Sequence, residues 1–137
     1  MAELVALRLT LPARLAREPL DTLLASLTPS TGPRSSTQAR APSFLARDLS
    51  CAERGVARLP WVSSTCLYRA LARYALLRRS GADATFVMAI DKKGLAQNGH
   101  AWIELEGRPF EEPDDVARYT VTFRYPPLPK DAKTGTP

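Results

Sequence analysis

The pattern of apolar and polar positions first divides the chain at a polar stretch. Residues 3–11 are mostly apolar and predict a strand, and residues 13–27 predict a helix that is interrupted or begins at Pro19. Residues 29–43 hold almost no apolar side chains and are rich in Ser, Thr, Pro and Gly, which predicts a flexible linker. Segment 1–28 is too short for an independent domain, so we expect it to dock on the remainder.

Two helices are predicted after this linker. Over residues 44–59 the apolar side chains recur at helical spacing, and Pro60 is expected to end that helix. The clearest helix covers residues 66–80, with a Ser-Ser-Thr run before it as a source of N-caps and Gly81 as a C-terminal stop. One apolar stripe runs along this helix and consists of Leu67, Ala70, Leu71, Tyr74 and Leu77.

Beyond this helix the pattern changes to that of strands. Residues 84–90 form a run typical of a buried strand, and residues 119–125 predict another. Between them, residues 99–106 alternate, with His100 and Trp102 on the same face.

Helices followed by an antiparallel meander predict an α+β fold, with the N-terminal helices packed on a small sheet. We assign residues 44–125 to this domain and residues 126–137, rich in Pro and Lys, to a fraying tail.

Composition and charge narrow the function classes. The 137 residues are 45% hydrophobic and 24% charged, as in a globular domain, and the formal charge is +5. The excess comes from scattered arginines without a lysine block, so we predict no nucleic-acid partner, although a basic surface suits an acidic peptide. With no signal-peptide pattern, no long apolar run and only two cysteines, we expect a cytoplasmic protein without a membrane span or disulfide framework.

Cys66 and His100 carry the main candidate chemistry. Cys66 begins the clearest helix, where free N–H groups and the positive end of the helix dipole stabilise a thiolate. His100 is the only histidine and begins a strand, so it is the one candidate imidazole base. Either residue alone also suits a structural role. The two together favour a small cysteine peptidase or acyltransferase.

A third group should orient the imidazole. If residues 105–107 form a three-residue loop with the glycine in the left-handed region, Glu112 faces His100 across the hairpin. A two-residue turn would shift the register by one and offer Glu111 instead. That turn places a glutamate at positive φ, which is unfavourable, so we prefer Glu112 and keep Asp114 as a fallback. A solvated acidic turn is the structural alternative for all of these carboxylates.

Three other residues receive weaker predictions. Trp102, two residues after His100 on the same face, is a candidate for lining a substrate groove, although an aromatic residue on a strand also suits the core. Trp61, before Cys66, is a candidate for shaping the site. Cys51 is predicted to be a packing residue. One histidine and two cysteines make a metal site unexpected, and no cofactor motif is present.

At residues 45–115 the chain resembles the lasso-peptide leader peptidases, which are transglutaminase-like cysteine proteases related to the C-terminal domain of the microcin-processing protein. Three matched segments carry the resemblance: Cys-Leu-Tyr-Arg-Ala-Leu at 66–71, Leu-Leu-Arg-Arg-Ser-Gly at 76–81 and His-Ala-Trp-Ile-Glu at 100–104. Ala-Glu-Arg at 52–54 and Leu-Pro at 59–60 also match the family's preceding helix.

The resemblance implies a transglutaminase-like, papain-like fold and a peptidase that removes the leader from a ribosomally made precursor. Cys66 would be the nucleophile and His100 the general base and acid. Glu112 stands where the family usually has Asp, which retains the charge on a longer side chain. The length fits the family's short form, which implies as partners the precursor peptide, a separate small leader-recognition protein and an asparagine-synthetase-like cyclase.

Two alternatives remain open. An acyltransferase of the same fold would form the same thioester and pass the acyl group to an amine. A non-catalytic module would instead use the basic face of the 66–80 helix, around Arg69, Arg73, Arg78 and Arg79, to hold an acidic partner.

Overall fold

A computed structural model describes residues 2–30, 42–56, 58, 65–93, 99–113 and 115–127. Within them the chain forms four α-helices: α1 (Ala2–Leu15), α2 (Leu20–Leu27), α3 (Pro42–Val56) and α4 (Cys66–Arg79). The described strands are β1 (Ala84–Asp91), β2 (Gly99–Leu105), β3 (Arg108–Pro109) and β4 (Tyr119–Tyr125), with a 3-10 turn at Val116–Arg118. The fold is α+β, as predicted. Most of the predicted linker, the predicted stop at Pro60 and most of the tail lie outside the described residues.

The first segment is a helix, so the prediction of a strand over residues 3–11 was wrong. Leu4, Leu7 and Leu11 recur at helical spacing, and all three are buried. A short apolar run does not distinguish a strand from a buried helix by composition alone. The helix then continues through residues 12–15, and a separate helix begins directly after Pro19.

Helix α4 is the central element of the core. Its N-cap is Thr65, whose side-chain oxygen accepts a hydrogen bond from the Tyr68 backbone N–H. Past its other end Gly81 has a φ of 91°, a conformation that favours glycine. The helix contacts α1 and α2 on one side and β1 and β2 on the other. The buried leucines of α1 and α2 therefore belong to the same hydrophobic cluster as α4 and the sheet.

The four strands form one antiparallel sheet in the order β3-β2-β1-β4. A continuous meander would have placed β4 beside β3, so that part of the prediction was wrong. The chain turns away from β2 after the short β3, and Arg118 binds Asp91 at the end of β1 (Nη2 to Oδ2, 2.7 Å). This ion pair ties the start of β4 to β1 rather than to β3.

The predicted hairpin register was also wrong. Leu105 pairs with Arg108 and Glu104 with Pro109, so the turn holds two residues, Glu106 and Gly107. Their φ angles are 52° and 75°, which is the type I′ geometry that matches the twist of the two strands. The match to the sheet outweighs the unfavourable conformation of Glu106. Among the described residues, no helix is long and apolar enough to cross a membrane.

Candidate active site

Cys66 is the first residue of α4 and is half-buried. The Thr65 cap fixes the start of the helix, so the thiol lies at the end where backbone N–H groups lack helical partners. Its Sγ is 3.9 Å from the carbonyl oxygen of Gly99, the first residue of β2. The helix start and the strand start therefore meet, and the residue after this contact is His100.

His100 is held on two sides. Its Nε2 lies 3.0 Å from Oε1 of Glu112, and its ring is only 7% exposed. The Tyr119 ring stacks on it, with centroids 5.0 Å apart and planes 25° apart. The pairing of β1 with β4 shifts register between Met88 and Ala89. Beyond this shift along β1, Asp91 pairs with Tyr119. Tyr119 was not among the predicted site residues, because nothing in its local sequence shows which strand it joins.

Glu112 reaches His100 although the predicted register was wrong. A straight continuation of the observed hairpin would have placed Glu111 opposite Trp102, on the face that carries His100, and Glu112 on the other face. Instead Glu111 adopts a φ of 47°, so the backbone bends and the next side chain turns inward. The Glu112 side chain is 1% exposed, and its Oε2 lies 3.5 Å from Nη2 of Arg69.

The arginines predicted to form a basic face are paired with acids of the chain itself. Arg69 contacts Glu112, Arg78 binds Asp83 and Arg79 binds Glu3.

Arg73 was predicted to belong to the basic face of the helix and is in fact buried. Its guanidinium donates to both carboxylate oxygens of Glu53, at 2.7 and 2.6 Å. Since this charge and those of Arg69, Arg78 and Arg79 are neutralised within the chain, the helix offers little free positive charge to an acidic partner.

Arg8 of α1 adds a further buried charge beside these residues. It is 6% exposed, and its Nη1 has no hydrogen-bond partner among the residues that the structure describes. Burial lowers the pKa of Arg8. The negative charge of Glu53 raises this pKa, whereas the positive charges of Arg69 and Arg73 lower it further. Arg8 lies in a segment predicted to be a strand, so no sequence pattern placed it near the site.

Trp102 lies beside His100, with ring centroids 5.8 Å apart, but its own ring is buried. Trp102 is 3% exposed, packs with Val87 and Ala89, and donates its indole N–H to Glu104. Such a buried ring offers almost no surface to a substrate, which argues against the predicted groove-lining role. Trp61 and Asp114 fall outside the described residues.

Cys51 is exposed, contrary to the prediction that it is a packing residue. Its neighbour one helical turn along, Arg54, donates to its sulfur at 3.2 Å. Within the described part of the chain, no three His, Cys, Asp or Glu side chains come together as a possible metal site.

The described site thus contains a helix-start thiol beside a strand that carries a carboxylate-bound imidazole. The sequence model of the transglutaminase-like superfamily matches residues 7–124. The chain belongs to the transglutaminase-like superfamily. The match begins within α1 and ends within β4, so it includes the N-terminal helices as well as Cys66, His100 and Glu112. No curated protein and no solved structure matches the chain significantly.

Transglutaminase-like domains are commonly cysteine proteases or acyltransferases. Their shared chemistry is nucleophilic attack by a thiolate and passage through a thioester. The observed site contains the residue types that an enzyme of this class uses, a thiol and an imidazole bound by a carboxylate.

Proposed function

We propose that this protein is a cysteine peptidase that removes the leader from a lasso-peptide precursor. The observation that carries the catalytic part is the 3.0 Å contact between His100 Nε2 and Glu112 Oε1. His100 lies on β2, and the first residue of that strand contacts the Cys66 thiol. The lasso-peptide part rests on the resemblance at residues 66–71, 76–81 and 100–104.

In the proposed reaction, His100 takes the thiol proton of Cys66. Because Nε2 faces Glu112, Nδ1 is the ring nitrogen assigned to this step. The thiolate attacks the scissile carbonyl carbon, and the carbonyl oxygen becomes an oxyanion. The backbone N–H of Cys66, at the helix start, is the proposed donor to that oxyanion.

Collapse of this intermediate breaks the C–N bond, and the imidazolium gives its proton to the leaving amine. Water then attacks the thioester while His100 accepts a proton, and the thiol regains it as the leader carboxylate departs. Glu112 stays ionised throughout and keeps the imidazole oriented.

We propose as partners the precursor peptide, a separate small leader-recognition protein and an asparagine-synthetase-like cyclase that consumes the freed core peptide. No nucleic acid, membrane, metal or cofactor enters this scheme, and its setting would be the cytoplasm.

The proposal is tested with a lasso-peptide precursor, a small leader-recognition protein and the 137-residue chain. We expect mass spectrometry to detect release of the leader by the wild-type protein and by Cys51→Ala, and none by Cys66→Ala. His100→Ala should lose about 10²-fold or more in turnover. An active Cys66→Ala variant would refute the assignment of the nucleophile.

Alkylation separates activation of a thiol from its accessibility. Cys51 is exposed and Cys66 is only half-buried, so accessibility alone would favour Cys51. We expect iodoacetamide to modify Cys66 faster near neutral pH, because Cys66 is the proposed nucleophile and a nucleophilic cysteine reacts faster than a structural one. Transfer of the acyl group to added hydroxylamine without release of a free carboxylate would favour the acyltransferase over the peptidase.

A further inference from the structure

Something must hold Glu112 in place, because the backbone that carries it is not held by the sheet. Strand β3 ends at Pro109, and only Phe110 continues the pairing, through its N–H to the Ile103 carbonyl at 2.8 Å. Glu111 then adopts a positive φ, which L-residues rarely adopt. The bend that turns Glu112 toward His100 therefore requires contacts from outside the hairpin.

Arg73 supplies contacts at the bend itself. Its Nη1 donates to the backbone carbonyl of Glu111 at 3.0 Å and lies 3.4 Å from that of Phe110. Nε and Nη2 of the same guanidinium donate to Glu53, and the side chain is almost fully buried. Since a guanidinium is planar and rigid, binding by Glu53 on one side fixes the direction in which Nη1 donates on the other.

Arg69 contacts the carboxylate that the bend delivers. It lies one helical turn before Arg73 and one turn after Cys66, so the three share a face of α4. Its Nη2 is 3.5 Å from Oε2 of Glu112, while Oε1 of the same carboxylate faces His100. The two oxygens of Glu112 therefore contact different residues.

We propose that Arg69 and Arg73 are positioning residues that hold Glu112 against His100, with Glu53 acting through Arg73. The catalytic significance of this arrangement rests on the proposed function. In it, the helix that begins with the nucleophile also fixes the acid that orients the base. The spacing Cys66, Arg69, Arg73 places the three residues on one helical face, one turn apart, whereas Arg78 and Arg79 bind acids outside the site.

A spectroscopic test follows from the single histidine. In the wild-type protein, the ring N–H of His100 that faces Glu112 should give one downfield proton resonance, which needs no assignment among several histidines. Glu112→Ala defines the signal when the contact is lost. We expect Arg69→Gln to raise the solvent-exchange rate of this proton by about tenfold, as for loss of a charge-assisted contact. Arg79→Gln, which removes the exposed ion pair with Glu3 at the end of the same helix, is the control and should leave the resonance unchanged.

Conservative variants separate positioning from general loosening. Arg69→Lys keeps a positive charge beside Glu112 and should restore most of the wild-type signal. Arg73→Lys should not, because an ammonium cannot bind both oxygens of Glu53 and the two carbonyls. Removing Arg73 alone risks unfolding by leaving Glu53 buried without its partner, so the double variant Arg73→Met/Glu53→Met removes both charges. It should stay folded by circular dichroism and still lose the resonance.

Kinetics give an independent measure. With the precursor peptide as substrate, Arg69→Gln and the double variant should lower kcat about tenfold with little change in KM, because neither arginine is placed on the substrate. Folded variants with unchanged ring-proton exchange and unchanged kcat would overturn the positioning roles even if Cys66→Ala is inactive. Conversely, an active Cys66→Ala variant would refute the proposed function while the ring-proton results still tested the contact with Glu112.

Discussion

At the residue scale, the position of Glu112 depends on the backbone conformation of its neighbour. Glu111 takes a left-handed conformation, and its carbonyl is bound by Arg73. A residue in this conformation costs on the order of 1–2 kcal/mol for most side chains, which is why such conformations need support from their surroundings. The inward direction of Glu112 is therefore a tertiary property and not a property of the hairpin.

The two adjacent glutamates should respond very differently to loss of charge. We expect Glu112→Gln to lower turnover of the precursor roughly 10²-fold, because the imidazole loses a charged partner that orients it. Alkylation of Cys66 by iodoacetamide should persist. Glu111→Gln is the matched control and should be nearly silent in the same peptide-release assay, since its side chain is exposed. Equal losses in both variants would contradict the role assigned to Glu112.

Asp91 gives a prediction about pH. The backbone N–H of Lys93 and the Arg118 side chain both bind its carboxylate and hold the pKa of Asp91 below the ordinary 3.8. A depressed folded pKa contributes stability above about pH 3.8, and that contribution disappears as the pH falls through the lower folded value. Asp91→Asn should therefore be less stable than wild type at neutral pH, and the urea unfolding curves of the two proteins should converge as the pH falls well below 3.8. A gap that persists undiminished in acid would exclude the carboxylate as its cause.

At the scale of elements, the β2–β3 turn is built from a residue poorly suited to it. Glu106 occupies the first central position of a type I′ turn, where asparagine is strongly preferred. Glu106→Asn should raise the free energy of unfolding by on the order of 1 kcal/mol, because asparagine adopts the left-handed conformation more readily. Urea denaturation checks this, and Glu106→Val should change stability in the opposite direction. No gain with asparagine would mean that the turn tolerates glutamate without strain.

The elements that the sequence predicts well are those with local signals. Helix α4 has a cap, an apolar stripe and a glycine stop. The strand predicted at residues 119–125 has the same bounds as the observed β4. The strand predicted at the start of the chain failed because nine mostly apolar residues fit both periodicities. The prediction of the hairpin register failed because it considered only the local conformational cost of Glu106 at positive φ. The stabilisation gained when the turn matches the strand twist involves both strands.

The site shows the same division between local and tertiary information. Cys66, His100 and Glu112 are visible as residue types at particular places in the sequence. The burial of Arg73, by contrast, depends on Glu53 of another helix and on carbonyls 37 and 38 residues away, and no local pattern contains it.

At the scale of the whole molecule, α1 and α2 contribute buried leucines to the same core as α4 and the sheet. The N-terminal helices are thus expected to unfold together with the rest. Leu11→Ala should cost about 2–5 kcal/mol, as for other fully buried leucines, and should lower the single unfolding transition of the whole chain. Leu9→Ala in the same helix is the control and should change stability by less than about 0.5 kcal/mol, because Leu9 is half exposed. A separate early transition for Leu11→Ala would indicate an independently melting segment.

The short edge strand has a consequence for motion. β3 pairs with β2 at only two positions, and one of its two residues is Pro109, which has no N–H to donate. By contrast, β1 pairs with β2 at seven positions. Segments with few contacts open locally at a lower free energy than the global unfolding transition. Amide hydrogens near Phe110 should therefore exchange with solvent long before those of β1, and each such opening would separate Glu112 from His100 while α4 and Cys66 stay folded. The fraction of time that this edge spends closed would then set the fraction of molecules with an assembled triad.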